Sequence, residues 1–252
     1  MKSKRLSNCL IASILKLVIN MLDKTNLDSV KSVATSFLYL DVKVDKKIPF
    51  VVSHPYFTTT VATAYEDGKP VMLEITTEEG LKKARGAVEK DVQKVDNCLQ
   101  FLHMLRPPYL PAFFKYTARY LSKEDFSRFL GSMWTLVEFP NADSTVSPAE
   151  FVMYFKEAEK EVLMDEEDYR KFLILPDVLT VYRGIKPKGE VRALSWTLSK
   201  KKAEWFANRF QPDGVVYRAK IAKEHLLAYF NCRSEQEVVL DYRKLFNIEK
   251  VG

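Results

Sequence analysis

The hydrophobic positions of this chain change period twice, and the changes divide it into three stretches. Leu38, Leu40, Val42 and Val44 alternate with Tyr39, Asp41 and Lys43, the period-two pattern of a strand. Asp45-Lys46-Lys47 reads as a turn into a second strand over Ile48–Ser53. Phe57–Tyr65 and Val71–Ile75 flank Asp67-Gly68, a dipeptide suited to a tight hairpin because both positions tolerate positive φ. A small antiparallel sheet is therefore predicted over residues 36–75.

Spacing by three and four then takes over at Leu81, Ala84, Val88, Val92, Val95, Leu99 and Leu102, one face of a helix. Thr76 and Glu79 stand at capping-box spacing before it, and Pro107-Pro108 and Pro111 are expected to stop it. Ser122 marks another helix start. Ser147-Pro148-Ala149-Glu150 marks a further one, with a capping Ser, Pro at the first helical position and Glu at the third. Asp165 is placed to cap a short helix before Leu175-Pro176. Ahead of all this, Cys9–Leu22 is mostly apolar behind the basic stretch Met1–Arg5, which imitates a signal peptide. Lys16 and Asn20 interrupt the run, and Asp23-Lys24 follows with no small-residue cleavage site. A buried or partly buried helix is expected there, with a membrane-surface helix as the alternative, and no bilayer span.

The last third changes again. Val178–Arg183 reads as a strand, and Ser199 can cap a helix whose apolar face is Ala203, Phe206, Ala207 and Phe210. Pro212-Asp213-Gly214 is a turn, followed by strand candidates at Val215–Ile221, Leu226–Asn231 and Glu237–Asp241.

Composition adds two constraints. With 252 residues, 47% hydrophobic and 29% charged, the chain is globular and long enough for one large domain or two small ones. Its net charge of +6 is unevenly placed: residues 176–252 hold 15 basic and 9 acidic side chains, and residues 1–175 hold 24 of each. A local basic field faces phosphate in many proteins, although chance and solubility account for it equally well. Cys9, Cys98 and Cys232 are odd in number and form no CxxC pair, which favours a reducing compartment over a disulfide framework. His54, His103 and His225 stand apart with no metal-ligand spacing, so no metal is expected.

Three clusters in the basic third could carry chemistry. Tyr182-Arg183-Gly184 reads either as a surface Arg before a turn glycine or as a guanidinium fork for a pyrophosphate. Ser195-Trp196-Thr197 places two hydroxyls on one strand face, either solvated or positioning a ligand. Glu235-Gln236-Glu237 places two carboxylates on one strand face, either as a charged edge or as a pair with separate roles. Lys200, Lys201 and Lys202 sit in the first turn of the Ser199-capped helix, where the helix dipole disfavours cations. They are either a solvated run or the mark of a bound anion.

The order of these clusters resembles the mono-ADP-ribosyltransferase superfamily, in its Arg–Ser–Glu branch, over roughly residues 176–245. Trp196 and Thr197 depart from the Ser-Thr-Ser form of its middle motif. The pattern predicts an α+β protein whose N-terminal and middle region is helix-rich with a small antiparallel sheet. The resemblance implies that a C-terminal ADP-ribosyltransferase-like two-sheet fold with an NAD cleft follows. Residues 1–110 would form an N-terminal region of unassigned role, and residues 111–252 a helical segment plus the catalytic domain.

The implied substrate is NAD, used without a metal. Arg183, Gly184, Tyr182, Ser195, Trp196 and Thr197 would bind it, and Glu237, Glu235 and Ser195 would be catalytic. Glu237 would stabilise the oxocarbenium-like ribose as nicotinamide leaves, Ser195 would orient Glu237, and Glu235 would serve the acceptor. The implied acceptor is a macromolecule, with protein ahead of nucleic acid and arginine ahead of other residues. The implied setting is cytoplasmic, or the cytoplasm of a target cell reached by a toxin-like, phage or regulatory effector. NAD hydrolysis and a non-catalytic NAD- or nucleic-acid-binding module are the alternatives.

Overall fold

The computed structural model describes residues 22–140, 144–210 and 212–251. The helix expected over Cys9–Leu22 lies, apart from Leu22, outside the described residues. The protein is α+β, with helices, a six-stranded antiparallel sheet and two small sheets. It divides into two compact units, one ending at Phe129 and the other beginning at Leu130.

In the first unit, Asn26 caps helix α1, Leu27–Leu38, its side chain accepting from the Ser29 N–H. Val30, Ala34, Phe37 and Leu38 are its buried face. Leu38 thus ends a helix rather than opening the strand expected from its alternation with Leu40 and Val42, because helical spacing from Val30 claims it first. What remains of the two predicted strands is short: β1, Lys43–Val44, pairs with β2, Val52–Ser53. The hairpin is as expected, with β3 (Val61–Glu66) antiparallel to β4 (Lys69–Glu74). Its turn has positive φ at both Asp67 (50°) and Gly68 (75°), the twist that suits adjacent strands.

Helix α2, Glu78–Lys94, is capped by Thr77, whose hydroxyl accepts from the Gly80 N–H at 3.1 Å. Thr76, the expected cap, instead donates to Glu74 at 2.8 Å. The helical run also breaks sooner than its apolar spacing implies. Val95 is extended, and a 3₁₀ turn over Cys98–Gln100 leads into the short α3, Phe101–Met104. The prolines start elements rather than end one: Pro107 opens a 3₁₀ turn and Pro111 lies in the first turn of α4, Leu110–Thr117. A first-turn N–H has no helical acceptor, so proline loses nothing there. Phe113 then packs edge-on to Phe37 (centroids 5.6 Å apart), and Phe114 packs at a tilt on Phe126 (5.0 Å). These contacts lie within the first unit, which ends at Phe129.

The second cluster of this unit surrounds His54, which is fully buried beside Phe57 (ring centroids 4.7 Å apart). Its Nδ1 accepts from the Tyr56 and Phe57 N–H groups at 3.1 and 3.3 Å. Nε2 therefore carries the proton, donated to the Leu38 carbonyl at 3.2 Å. The ring is neutral: burial drives its pKa down to about 4, against a smaller upward pull from the Leu38 carbonyl.

In the second unit, helix α5 (Lys123–Leu136) contributes its last turns from Leu130. Helix α6, Pro148–Glu157, begins with the complete capping box of Ser147 and Glu150. The short α7, Lys160–Leu163, precedes α8, Glu166–Leu173, which Asp165 caps. The sheet comprises β5 (Val178–Ile185), β6 (Ser195–Thr197), β7 (Val215–Ala222), β8 (Leu226–Phe230), β9 (Glu237–Leu240) and β10 (Phe246–Lys250), in the order β10-β7-β5-β6-β9-β8. All neighbours are antiparallel. Strand β10 was not legible beforehand because Asn247, at φ 49°, breaks its register against β7 and it is largely exposed.

The six strands form one sheet where the resemblance implied two, and its join is narrow at the middle. β5 and β6 pair at a single position, Tyr182 with Thr197, whereas β5 and β7 pair over eight residues. Helix α9, Lys200–Asn208, is capped by Ser199 and lies on β5 and β7 with Ala203 and Ala207 fully buried. Two glycines make this approach possible. A Cβ on Gly184 would meet the Ala203 carbonyl oxygen at 1.8 Å, and one on Gly214 would meet that of Ala207 at 1.9 Å.

His54 sets a pH window for the first unit. Its contribution to stability is whole above pH 6.5 and is lost as pH falls from 6.5 toward 4, because the unfolded chain takes up a proton that the buried ring resists. Unfolding followed by denaturant from pH 7.5 to 4.5 is expected to lose about 2–3 kcal/mol over that interval. His54→Asn is expected to be less stable at pH 7.5 and to lack this part of the slope.

Candidate active site

The register of the β6–β9 pair assembles the site. Thr197 stands directly opposite Glu237, Trp196 opposite Val238 and Ser195 opposite Val239. Directly opposed side chains share a sheet face and alternate residues do too, so Ser195, Thr197 and Glu237 lie on one face. Trp196 and Val238 point to the other, at 2% and 0% exposure. Arg183 ties in the neighbouring strand. Its Nη1 donates to the Ser195 carbonyl at 2.5 Å and its Nε to the Glu190 carbonyl at 3.2 Å.

These residues line a cavity of about 420 Å³ whose walls include Tyr182, Arg183, Gly184, Ser195, Glu235 and Glu237. Trp196 and Thr197 also border it, but their polar groups are committed elsewhere. The Trp196 indole N–H donates to the Ala193 carbonyl at 3.0 Å. The Thr197 hydroxyl donates to the Glu235 carbonyl at 2.6 Å and accepts from the Ser199 N–H at 3.0 Å. Both residues shape the site through the backbone rather than offering a free group to a ligand.

Glu235 and Glu237 do not share a strand face as the alternating pattern implied. The strand begins at Glu237, and Ser234 and Gln236 on either side of Glu235 are left-handed, at φ 53° and 47°. Such conformations are uncommon for these residue types and persist where the surroundings hold them. Here the Gln236 N–H donates to Asn231 Oδ1 at 3.0 Å, and the Gln236 carbonyl accepts from the Leu198 N–H at 3.0 Å. With the Thr197–Glu235 bond, these contacts fix the loop and bring both carboxylates to the same cavity. A smaller cavity of about 80 Å³ adjoins it, sharing Ser195, Glu235 and Glu237 and adding Trp134, Cys232 and Arg233.

Electrostatics separate the charged groups. Burial pushes the Glu237 pKa up, opposed by hydrogen bonds from Ser195 and Trp134; Glu235 adds to the rise and Arg183 opposes it. Burial lowers Arg183 to about 10, with Glu237 and Glu190 pulling it back up, so the guanidinium remains charged at neutral pH. The cavity wall as a whole is balanced: Arg183, Lys186, Arg192 and Arg209 face Glu138, Glu190, Glu235 and Glu237. The basic excess of the last third is therefore not concentrated here. Lys200, Lys201 and Lys202 are not among the cavity residues; Lys200 pairs with Glu204 at 3.5 Å and Lys202 lies over Trp205, 5.6 Å from its centroid.

Glu138, Phe139, Arg209 and Trp134 line the cavities without having carried a sequence signal. Arg209 pairs with Glu138 and lies under the rings of Phe210 (4.5 Å) and Phe139 (5.4 Å), closing one side. Phe206 lines both cavities, whereas Trp205 is exposed and borders neither. Trp134, from the last turn of α5, donates its indole N–H to Glu237 Oε1 at 3.1 Å. Among the described residues no group of three or more His, Cys, Asp or Glu is placed to hold a metal ion. No helix among them is long and apolar enough to cross a membrane.

No protein-family model, curated protein or solved structure matches the chain.

Gly184 has a structural duty separate from any ligand. Gly184→Ala is expected to destabilise the protein by roughly 1–3 kcal/mol or more, because the added methyl meets α9 backbone rather than a movable side chain. Urea unfolding of the protein alone measures this.

Proposed function

We propose that the protein is an NAD-dependent mono-ADP-ribosyltransferase, with the second unit as its catalytic domain and the cleft bordered by β5, β6 and β9 as its NAD site. The observation that carries this reading is convergence. Arg183, Ser195, Glu235 and Glu237, from three separate stretches of sequence, line one cavity, with Ser195 beside Glu237. The order Arg, Ser-x-Thr, Glu-x-Glu is that of the Arg–Ser–Glu branch, and the cavity gives those residues a common space.

In the proposed reaction the C1′–N bond of the nicotinamide riboside breaks. The electron pair leaves with nicotinamide, and positive charge develops on the ribose. Glu237, buried and held by two neutral donors, supplies a fixed negative charge against that sugar, and such preorganised charge lowers a barrier more in a dry site than in water. Arg183, charged and crossing from β5 to β6, serves the phosphates or the nicotinamide-side ribose. Tyr182 and Gly184 form the adjoining wall. Glu235, on its pinned loop, takes the proton of the attacking acceptor. The acceptor is a macromolecule, a protein arginine foremost.

Hydrolysis of NAD is the second reading. The cavity of about 80 Å³ beside Glu235 and Glu237 has room for a few water molecules.

Incubation with labelled NAD and a cell lysate, followed by nicotinamide release and label transfer, tests both readings. Glu237→Gln is expected to lower nicotinamide release by about 10²–10³-fold, the usual effect of removing one preorganised electrostatic group. Glu235→Ala is expected to abolish transfer while leaving measurable hydrolysis. Absence of nicotinamide release by the folded wild-type protein overturns both readings, and equal loss of the two activities in Glu235→Ala removes the acceptor role of Glu235.

A further inference from the structure

We infer that Trp134, outside the segment that carries the motifs, is a positioning residue that holds the Glu237 carboxylate in place and in its ionised form. This rests on the reading of Glu237 as the charge that meets the ribose, but the hydrogen bond itself does not.

The indole is set for this task by packing. Trp134 is 2% exposed and is gripped edge-on by Phe151 and Phe155 of α6, with ring centroids 5.3 and 4.9 Å away. A buried indole N–H needs an acceptor, and the one it has is Glu237 Oε1 at 3.1 Å. Every part of the arrangement belongs to a regular element: α6 starts at a complete capping box, Trp134 lies in the last turn of α5, and Glu237 opens a strand paired on both sides.

The carboxylate has a reason to depend on it. Burial favours the neutral acid, and Glu235 pushes the same way. Arg183 opposes this through space while directing two of its N–H groups at backbone carbonyls. Arg209 is engaged with Glu138 and Arg233 with the Thr135 carbonyl. Cys232 borders the small cavity, and its thiol is held up chiefly by burial, so it brings no negative charge at neutral pH. The direct donors to Glu237 are thus two neutral groups, the Ser195 hydroxyl and the Trp134 N–H. A hydroxyl can rotate away and can accept as well as donate. An indole N–H can only donate and is fixed in direction, so it favours the anion at every moment.

The test is Trp134→Phe, with the Glu237 carboxyl followed by ¹³C NMR from pH 4 to 9 and nicotinamide release measured over the same range. The Glu237 titration is expected to move up by roughly one to two pH units, the cost of one hydrogen bond to a charged group. The acid limb of the rate profile should move with it. The variant should then be about tenfold or more slower than wild type near pH 6 and approach it as pH rises, with KM for NAD little changed. A merely structural role for Trp134 lowers the rate by the same factor at every pH and leaves the Glu237 titration in place, and either result overturns the inference. Should Trp134→Phe pack poorly, benzothienylalanine at 134 replaces the N–H with sulfur at nearly constant volume. Phe155→Leu loosens the same packing with the N–H kept and should leave the titration unmoved. If wild type releases no nicotinamide, the proposed function fails, while the NMR titration still decides the role of Trp134.

Discussion

The second unit depends on how closely helix α9 can approach strand β5. Gly184 and Gly214 present bare backbone to Ala203 and Ala207, and even one methyl group at either glycine would collide with main-chain atoms. Burying four small residues contributes little apolar area, so the gain is mainly positional. With the helix axis drawn in, Phe206 and Arg209 reach the cavity from one side while Arg183 and Tyr182 border it from the other. A glycine that reads as permission for a ligand to touch the backbone is here already occupied by protein. Any ligand contact at 184 must come from the face away from α9.

The single hydrogen-bonded position between β5 and β6 has a related consequence. Strands that part after one pair leave backbone groups and side chains turned into the gap, and that gap is where the cavity lies. Arg183 bridges it, satisfying the Ser195 and Glu190 carbonyls. The guanidinium thus has two duties at once: it replaces part of the missing ladder and places a charge beside Glu237. Burial depresses its pKa, but an arginine starts so high that it stays charged at neutral pH. A lysine in its place would make fewer of these bonds and would titrate more readily.

Short-range information was largely legible. The capping residues Ser147, Asp165 and Ser199, the Asp67-Gly68 hairpin and the strand carrying Tyr182-Arg183-Gly184 follow from local chemistry that a single sequence displays. Where two local patterns overlapped the wrong one could win, as at Leu38, which fits both an alternating strand and the end of a helix begun at Leu27. Non-local partners were not legible. Trp134 and Glu237 are 103 residues apart, and nothing in either neighbourhood announces the other. The left-handed turn at Gln236 was equally hidden, because glutamine has no preference for that conformation. It is imposed by Asn231, Thr197 and Leu198, and only the folded chain brings these together.

That imposed turn makes the two carboxylates different. Had Glu235 and Glu237 been neighbours on one strand face, they would have shared an environment, and repulsion alone would have split their titrations. Instead Glu237 is a strand residue, desolvated and held by Ser195 and Trp134. Glu235 sits on a loop whose backbone is pinned while no cation among the described residues pairs with its side chain. A rigid, donor-bound carboxylate suits charge stabilisation, where displacement is costly. A carboxylate on a fixed backbone with an uncommitted head suits proton transfer, where the group must meet an incoming acceptor. The division of roles proposed for the reaction therefore rests on the backbone of residues 234–236, a feature of geometry, rather than on any chemical difference between two glutamates.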